Sequence, residues 1–299
     1  MRKSWFGVIF SLLLSACIQD TVPGRPDVEL PERGLELTSL ATEGGVQQLT
    51  FFNVAVMNAP GTRAVLPITG TPPEALRAID YAPNGTLYGL GVLLPGDDTT
   101  RSALYTIDPI SGAATEVVQF ELPFEPDDVR FVPGTDGRQL RITELTRSLA
   151  LPRTVVVEVP TGVVGEPVDV DAGQELGTRP ALTAFDYTDT ELVAITGTGV
   201  DGYVQHLARA EIGREQKLTT VERVLTNLPY ITSFVEDGLV GYATLIEYNR
   251  PSGNPLFIEI NINSSSPAVG EFKEIATFPI SQLSIAETPE SVVEARENR

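Results

Sequence analysis

Carboxylates are the most plentiful groups in this chain that could do chemistry, and one stretch spaces them for a hard cation. Asp169-Val-Asp-Ala-Gly-Gln-Glu175 sets acids at i, i+2 and i+6 around a glycine, a spacing at which oxygen ligands can converge on calcium after a tight turn. The run leaves the EF-hand pattern after its second acid. Asp169, Asp171 and Glu175 are therefore candidate calcium ligands, set against the simpler reading of a solvated acidic loop. Asp80, Asp128 and Asp186 are a second set, each in a short apolar run that recurs along the chain. In a ring of sheets such an acid lines the central channel or binds a turn backbone, the second being the commoner role. Asp97, Asp98, Asp127 and Asp128 read more simply as solvated loop acids, although Asp128 also aligns with the repeat position of Asp80 and Asp186.

Nitrogen and sulfur chemistry is scarce. His206 is the sole histidine, inside Tyr203-Val-Gln-His-Leu-Ala208, and reads as a structural residue of a strand. Zinc, copper and non-haem iron sites recruit two or more His or Cys side chains, which this chain does not have to give. A Ser-His-acid triad would have to use His206, and no Gly-x-Ser-x-Gly elbow presents a serine. Neither a P-loop nor a dinucleotide fingerprint occurs. No catalytic residue is assigned, and the balance favours a chain that is not an enzyme.

The one thiol, Cys17, stands at the border of an apolar leader. Arg2 and Lys3 are followed by an uncharged run from Trp5 to Ala16, the order of a secretory signal. Twelve helical residues reach roughly 18 Å, short of the ~30 Å hydrocarbon core that a spanning helix must cross. The run ends Leu14-Ser-Ala-Cys17, which resembles the bacterial lipobox. That resemblance implies cleavage after Ala16 and a diacylglycerol on the Cys17 sulfur; the bland alternative is an ordinary buried cysteine. Acyl chains contribute ~0.8 kcal/mol per buried methylene, so two or three of them anchor durably. With a single Cys in the chain no intramolecular disulfide can form. Ile18, rather than Asp, follows the cysteine, which in Gram-negative sorting favours the outer membrane.

Loss of the leader's two basic residues moves the net charge from -19 to -21. So acidic a surface repels nucleic acid and anionic headgroups, and no nucleic-acid partner is expected. The only tryptophan, Trp5, leaves with the leader, which removes the Trp-Asp repeat families. With 26 Gly and 23 Pro spread through the chain, long helices are interrupted and short strands joined by turns are the natural alternative.

Residues 1–16 are thus the signal. Residues 17–33, IQDTVPGRPDVELPER after the cysteine, are a proline-interrupted tether. Residues 34–286 carry strand patterns, and 287–299 are charged and apolar-poor, either a helix begun by Thr288-Pro289 or a loose tail. Within 34–286, Leu76–Tyr81, Thr86–Gly91, Leu104–Pro109 and Ala114–Phe120 make four short strands in meander order, the size of a propeller blade. Similar units open at Asp128, Leu182 and Ile231. Asp80 to Asp128 and Asp186 to Phe234 are each 48 residues apart, with 58 between Asp128 and Asp186. Upstream, 35–40, 46–52 and 62–67 are three strands of a blade that lacks its first. A strand at 282–286 would supply it and close a five-bladed all-β propeller, leaving no open sheet edge. The alternatives are a two-sheet β-sandwich or two small β domains.

Ile68-Thr-Gly70, Leu76-Arg-Ala-Ile-Asp-Tyr-Ala-Pro83, Gly85-Thr-Leu-Tyr-Gly-Leu-Gly91 and Leu104-Tyr-Thr-Ile-Asp-Pro-Ile-Ser-Gly-Ala-Ala-Thr115 resemble the runs that mark domain of unknown function 4394. Asp128-Val-Arg-Phe-Val-Pro133 looks like that family's following repeat. The resemblance implies a propeller-like fold and carries no activity and no site residues. The expectation for function is a membrane-anchored, non-catalytic propeller that binds an envelope protein or a polysaccharide. The rival is a calcium-dependent, lactonase-like hydrolase, with calcium as the only cofactor in prospect.

Overall fold

The computed structural model describes residues 35–43, 45–56, 64–70, 76–95, 99–144, 151–171, 181–198, 204–226, 231–245, 256–263, 265–266, 272–277 and 284–298. The leader, Cys17, the tether, Asp97, Asp98 and Glu175 lie outside them.

Strands β1 (Glu36–Glu43), β2 (Val46–Asn53) and β3 (Ala64–Pro67) come first. A second group is β4 (Leu76–Tyr81), β5 (Leu87–Leu94), β6 (Thr100–Ile107) and β7 (Ala114–Leu122), and a third is β8 (Asp128–Phe131), β9 (Gln139–Thr143), β10 (Arg153–Glu158) and β11 (Val168–Asp169). The fourth is β12 (Ala181–Tyr187), β13 (Glu191–Thr198), β14 (Val204–Glu211) and β15 (Thr219–Thr226); the fifth is β16 (Ile231–Asp237), β17 (Val240–Leu245), β18 (Leu256–Asn261) and β19 (Phe272–Thr277). Strand β20 (Ser284–Glu287) then pairs antiparallel with β1, Leu37 opposite Glu287 and Leu40 opposite Ser284. The result is five four-stranded sheets, ordered β20-β1-β2-β3, β4-β5-β6-β7, β8-β9-β10-β11, β12-β13-β14-β15 and β16-β17-β18-β19. This is a five-bladed β-propeller, closed by its last strand as the sequence pattern predicts.

Apolar alternation explains why the sheets stack face to face in a ring. A two-sided core is buried between each neighbouring pair of blades, and the described residues form five such clusters. Leu76, Ile79, Leu87, Tyr105 and Ile107 join Leu40, Leu49 and Phe51 between the first and second blades. At the closing seam Phe52 meets the Phe257 ring edge-on at 5.7 Å, and Tyr242 stacks on Phe257 at 5.8 Å. Burying each such ring contributes roughly 1.5–3 kcal/mol, so closure is fixed by packing as well as by strand pairing.

Two backbone clasps reinforce neighbouring blades near their outer edges. Thr69, just past β3, forms a parallel bridge with Ala113 at the start of β7: Thr69 N–H donates to Gly112 O at 2.9 Å and Ala114 N–H to Thr69 O at 2.7 Å. Asp171 bridges Lys217 in the same way between the third and fourth blades. The first clasp needs Gly112, whose φ is +74° and whose absent Cβ would stand 2.1 Å from Pro67 O. Asp108 shapes this turn by accepting from Ile110 N–H at 2.9 Å and from the Ser111 hydroxyl at 2.5 Å. Residues 290–297 form helix α1 (Glu290–Glu297), with Val292 buried in the core between the first two blades and Arg296 over the Phe51 ring. The C-terminal segment is therefore a docked helix.

Candidate functional site

The inner strands β4, β8, β12, β16 and β20 surround the axis of the ring, and one side chain reaches all of them. Arg130, on β8, is 1% exposed. Its Nη1 donates to Val129 O at 2.7 Å, to Asp128 Oδ1 at 3.2 Å and to Ile79 O of β4 at 3.4 Å. Its Nη2 donates to Phe234 O of β16 at 2.8 Å and to Ile285 O of β20 at 3.2 Å. Its Nε faces Asp186 Oδ1 of β12 at 3.2 Å. Only a guanidinium, planar with five N–H donors in a fixed fan, can address so many oxygens at once.

The carbonyls that receive it share one repeat position. Cross-strand register places Ile79 opposite Gly89, Val129 opposite Ile142 and Phe234 opposite Ala243, and the next residue along each inner strand occupies one repeat position. That residue is Asp80 in the second blade, Arg130 in the third, Asp186 in the fourth, Val235 in the fifth and Ala286 in the first. The repeat column is thus Asp80, Arg130 and Asp186. Asp128 stands two residues earlier, so its expected alignment with Asp80 and Asp186 is corrected by this register, and at 2% exposed on β8 it is not the solvated loop acid that its sequence context suggests.

Both column aspartates stitch their strand to the next. Asp80 Oδ2 accepts from Phe131 N–H of β8 at 2.7 Å, and Asp186 Oδ2 accepts from Glu236 N–H of β16 at 2.9 Å. Serines two positions earlier do the same elsewhere: Ser233 Oγ accepts from Ile285 N–H at 3.0 Å and Ser284 Oγ from Ile79 N–H at 3.1 Å. Asp80, Asp128 and Asp186 do converge on the axis, where they serve strand backbones and a guanidinium.

This centre is electrostatically unusual. Burial pushes the Asp80 carboxyl up to about 7 against the opposing pull of Arg130, with Asp186 pushing further upward. Burial likewise takes Asp128 to about 6 and raises Asp186. Burial alone would lower Arg130, but the three aspartates together hold it above its ordinary value. At the ends of β16 and β20 lie Glu236 and Glu287, each raised to about 7 by burial and then by neighbouring acids, Asp186 and Asp237 among them.

The other sequence candidates fall elsewhere. Asp169 is exposed on β11 opposite Arg153, a strand that takes part of the stretch read as a calcium loop. Asp171 belongs to the clasp with Lys217. Among the described residues no group of three or more His, Cys, Asp or Glu side chains is arranged for a metal ion. His206 is 8% exposed within β14, opposite Thr196. A second buried polar group, absent from the sequence reading, joins the third and fourth blades. Arg141 Nε donates to Tyr187 Oη at 2.5 Å, Arg141 Nη2 lies 3.2 Å from Glu215 Oε1, and Tyr187 Oη donates to the same oxygen at 3.2 Å.

Fold and centre together define a five-bladed propeller whose axis is filled by its own guanidinium. The chain belongs to the family described as Domain of unknown function (DUF4394), which matches residues 48–209. None of the curated proteins compared matches it. Among solved structures it is similar to a protein described as a 6-phosphogluconolactonase from Bacteroides uniformis ATCC 8492, at 11% identity and a TM-score of 0.44 over 82% of this chain and 83% of that one. It is also similar to the Bacillus subtilis arabinanase, at 12% identity and a TM-score of 0.48 over 78% of this chain and 92% of that one. Both likenesses concern the ring of sheets alone.

Proposed function

We propose that this chain is a lipid-anchored, non-catalytic propeller of the bacterial cell envelope, held through Cys17 and binding an envelope protein or polysaccharide rather than nucleic acid. The observation that carries the non-catalytic part is Arg130. Where inner-strand carboxylates could hold a cation, this ring has a guanidinium hydrogen-bonded to the carbonyls of Ile79, Val129, Phe234 and Ile285, and Asp80 and Asp186 are committed to neighbouring backbone N–H groups. The same arrangement weighs against a calcium-dependent, lactonase-like hydrolase.

The leader and the Leu14-Ser-Ala-Cys17 run support anchoring, and Ile18 supports the outer membrane as its place. The acidic surface supports a partner other than nucleic acid. Two measurements test the reading. Labelled palmitate should enter the full chain in its bacterial host and be lost on Cys17→Ala; an unlabelled, uncleaved wild-type chain overturns the anchor. Calcium titrated against thermal unfolding should leave the melting temperature where an equal charge of sodium puts it. A saturable rise would mark a native ion site and restore the hydrolase.

A further inference from the structure

Three carboxylates share one guanidinium at the axis. Fully ionised, Asp80, Asp128, Asp186 and Arg130 would carry two uncompensated negative charges at a place where Arg130 is 1% and Asp128 2% exposed, with Asp80 and Asp186 half-buried beside them. Bringing an uncompensated carboxylate out of water is costly enough that such a group neutralises instead. Hydrogen bonds relieve only part of the load. Phe131, Val129 and Glu236 N–H groups each satisfy one carboxylate oxygen, while Asp128 Oδ2 is buried with no hydrogen-bond partner among the described residues. The surroundings add acid rather than base: Asp127 from the β8 side, Glu236 and Asp237 on β16, and Glu287 on β20. Besides Arg130, the cation that bears on this group is Arg209 of β14, which acts on Glu236.

We propose that the centre of the ring binds a proton at neutral pH, carried by the Asp80 and Asp128 carboxyls, and that its release in alkali loosens the hub joining all five blades. The elevation of Asp80 to about 7 and of Asp128 to about 6 agrees with this. Because the two interact, the titration belongs to the pair. The folded centre keeps a proton that the unfolded chain releases near the ordinary Asp value of about 3.9. The stabilisation is therefore fully present below that value and is lost as pH rises through about 7. The ring is an acid-tightened lock, whichever ligand it takes.

The test is urea unfolding of the full chain at constant ionic strength, at pH 5.5 and 8.5, with infrared detection of protonated carboxyl groups. For one proton held with a pKa near 7, the unfolding constant should rise roughly thirtyfold between the two pH values. Glu236 and Glu287 also rise to about 7, so the comparison is made in a Glu236→Gln/Glu287→Gln background. There Asp80→Asn/Asp128→Asn, which keeps the shape of a neutral acid, should lose most of that rise and the larger part of the protonated-carboxyl band. The Glu236→Gln/Glu287→Gln background by itself should keep both. A wild-type unfolding constant equal at the two pH values overturns the proposal, as does a rise or a band left undiminished in the Asn variant. Should the Asn variant fail to fold, the band of the Glu236→Gln/Glu287→Gln variant decides: it must be present at pH 6 and gone by pH 8.5.

Discussion

Asp80 and Phe131 lie on consecutive inner strands, and the carboxylate of the first accepts the main-chain N–H of the second at 2.7 Å. The relationship recurs two blades on, where Asp186 accepts from Glu236 N–H at 2.9 Å. Inner strands of neighbouring blades share no sheet, so their main chains have no ladder between them. Side chains supply what the ladder does not, two aspartates and two serines linking four of the five seams. At the remaining seam, between β8 and β12, Arg130 reaches Asp186 directly.

Arg130→Met should consequently be among the most damaging single changes in the molecule. It removes donors from four carbonyls and leaves buried Asp128 and half-buried Asp186 without their cation. Breaking a buried pair from one side costs about 3–5 kcal/mol, and denaturant unfolding should show a loss of that size or a chain that does not fold. Combining Arg130→Met with Asp128→Asn and Asp186→Asn should recover part of the loss, since the stranded charges go too. A triple variant no better than the single one would mean that the carbonyl ring, rather than the charge balance, dominates.

The axis should also accept a free ion in place of the side chain. In Arg130→Ala the acceptors Ile79 O, Val129 O, Phe234 O and Ile285 O remain, set for a planar donor. Low-millimolar guanidinium chloride should raise the melting temperature of this variant above that in equal sodium chloride and leave the wild type without a gain. A ligand at tenfold its Kd adds about 1.4 kcal/mol. Arg130→Lys should rescue poorly, because an ammonium is a point charge that cannot span the fan.

How much of this could be read beforehand differs sharply between fold and centre. The five blades follow from period-2 runs such as Leu76–Tyr81 and from the missing inner strand of the first blade, because burial on both faces of a sheet and closure of the ring are both written in local pattern. Strand β11, two residues long, has no such pattern and was hidden in the acids of Asp169 and Asp171. The centre is masked in the sequence because residue type and register point to different partners there. Asp128 looks like the partner of Asp80, yet setting Val129-Arg-Phe-Val-Pro133 on Ile79-Asp-Tyr-Ala-Pro83 puts a lone basic residue in an acidic column. That charge reversal was the available signal for an internal ion pair. The Arg141, Tyr187 and Glu215 group gave none, since its members are separated by whole strands and meet only through the stacking of two blades.

That group makes its own prediction. Arg141 and Glu215 are 12% and 5% exposed at the side chain, and Tyr187 contacts both, its hydroxyl raised far above the ordinary tyrosine value by burial. A double-mutant cycle on Arg141→Met and Glu215→Gln should return a coupling of about 1–3 kcal/mol. The same cycle on Arg138 and Asp136, 75% and 86% exposed, should return close to zero. Equal couplings at the two sites would show that burial contributes nothing to the inner pair.

The clasp between the first two blades gives the last test, and it explains why family-marking residues cluster where no chemistry is apparent. Ile68-Thr-Gly70 and Ser111-Gly-Ala-Ala-Thr115 are far apart in sequence, yet Thr69 and Ala113 bridge and Gly70 packs on Ala114 O. Each run shapes the other's backbone in this chain. Gly112→Ala would face two penalties: a left-handed φ of +74°, and a Cβ 2.1 Å from Pro67 O. Gly213→Ala meets only the first, at φ +86° with nothing within 4 Å. The left-handed penalty is roughly 1–2 kcal/mol, and each kcal/mol lowers the melting temperature by roughly 2–4 °C in a domain of this size. Gly112→Ala should therefore melt at least twice as far below the wild type as Gly213→Ala does. Hydrogen exchange at Thr69 and Ala114 N–H should accelerate in Gly112→Ala alone, because only there is the bridge forced apart; equal melting shifts in the two variants would reduce the clasp to an ordinary turn.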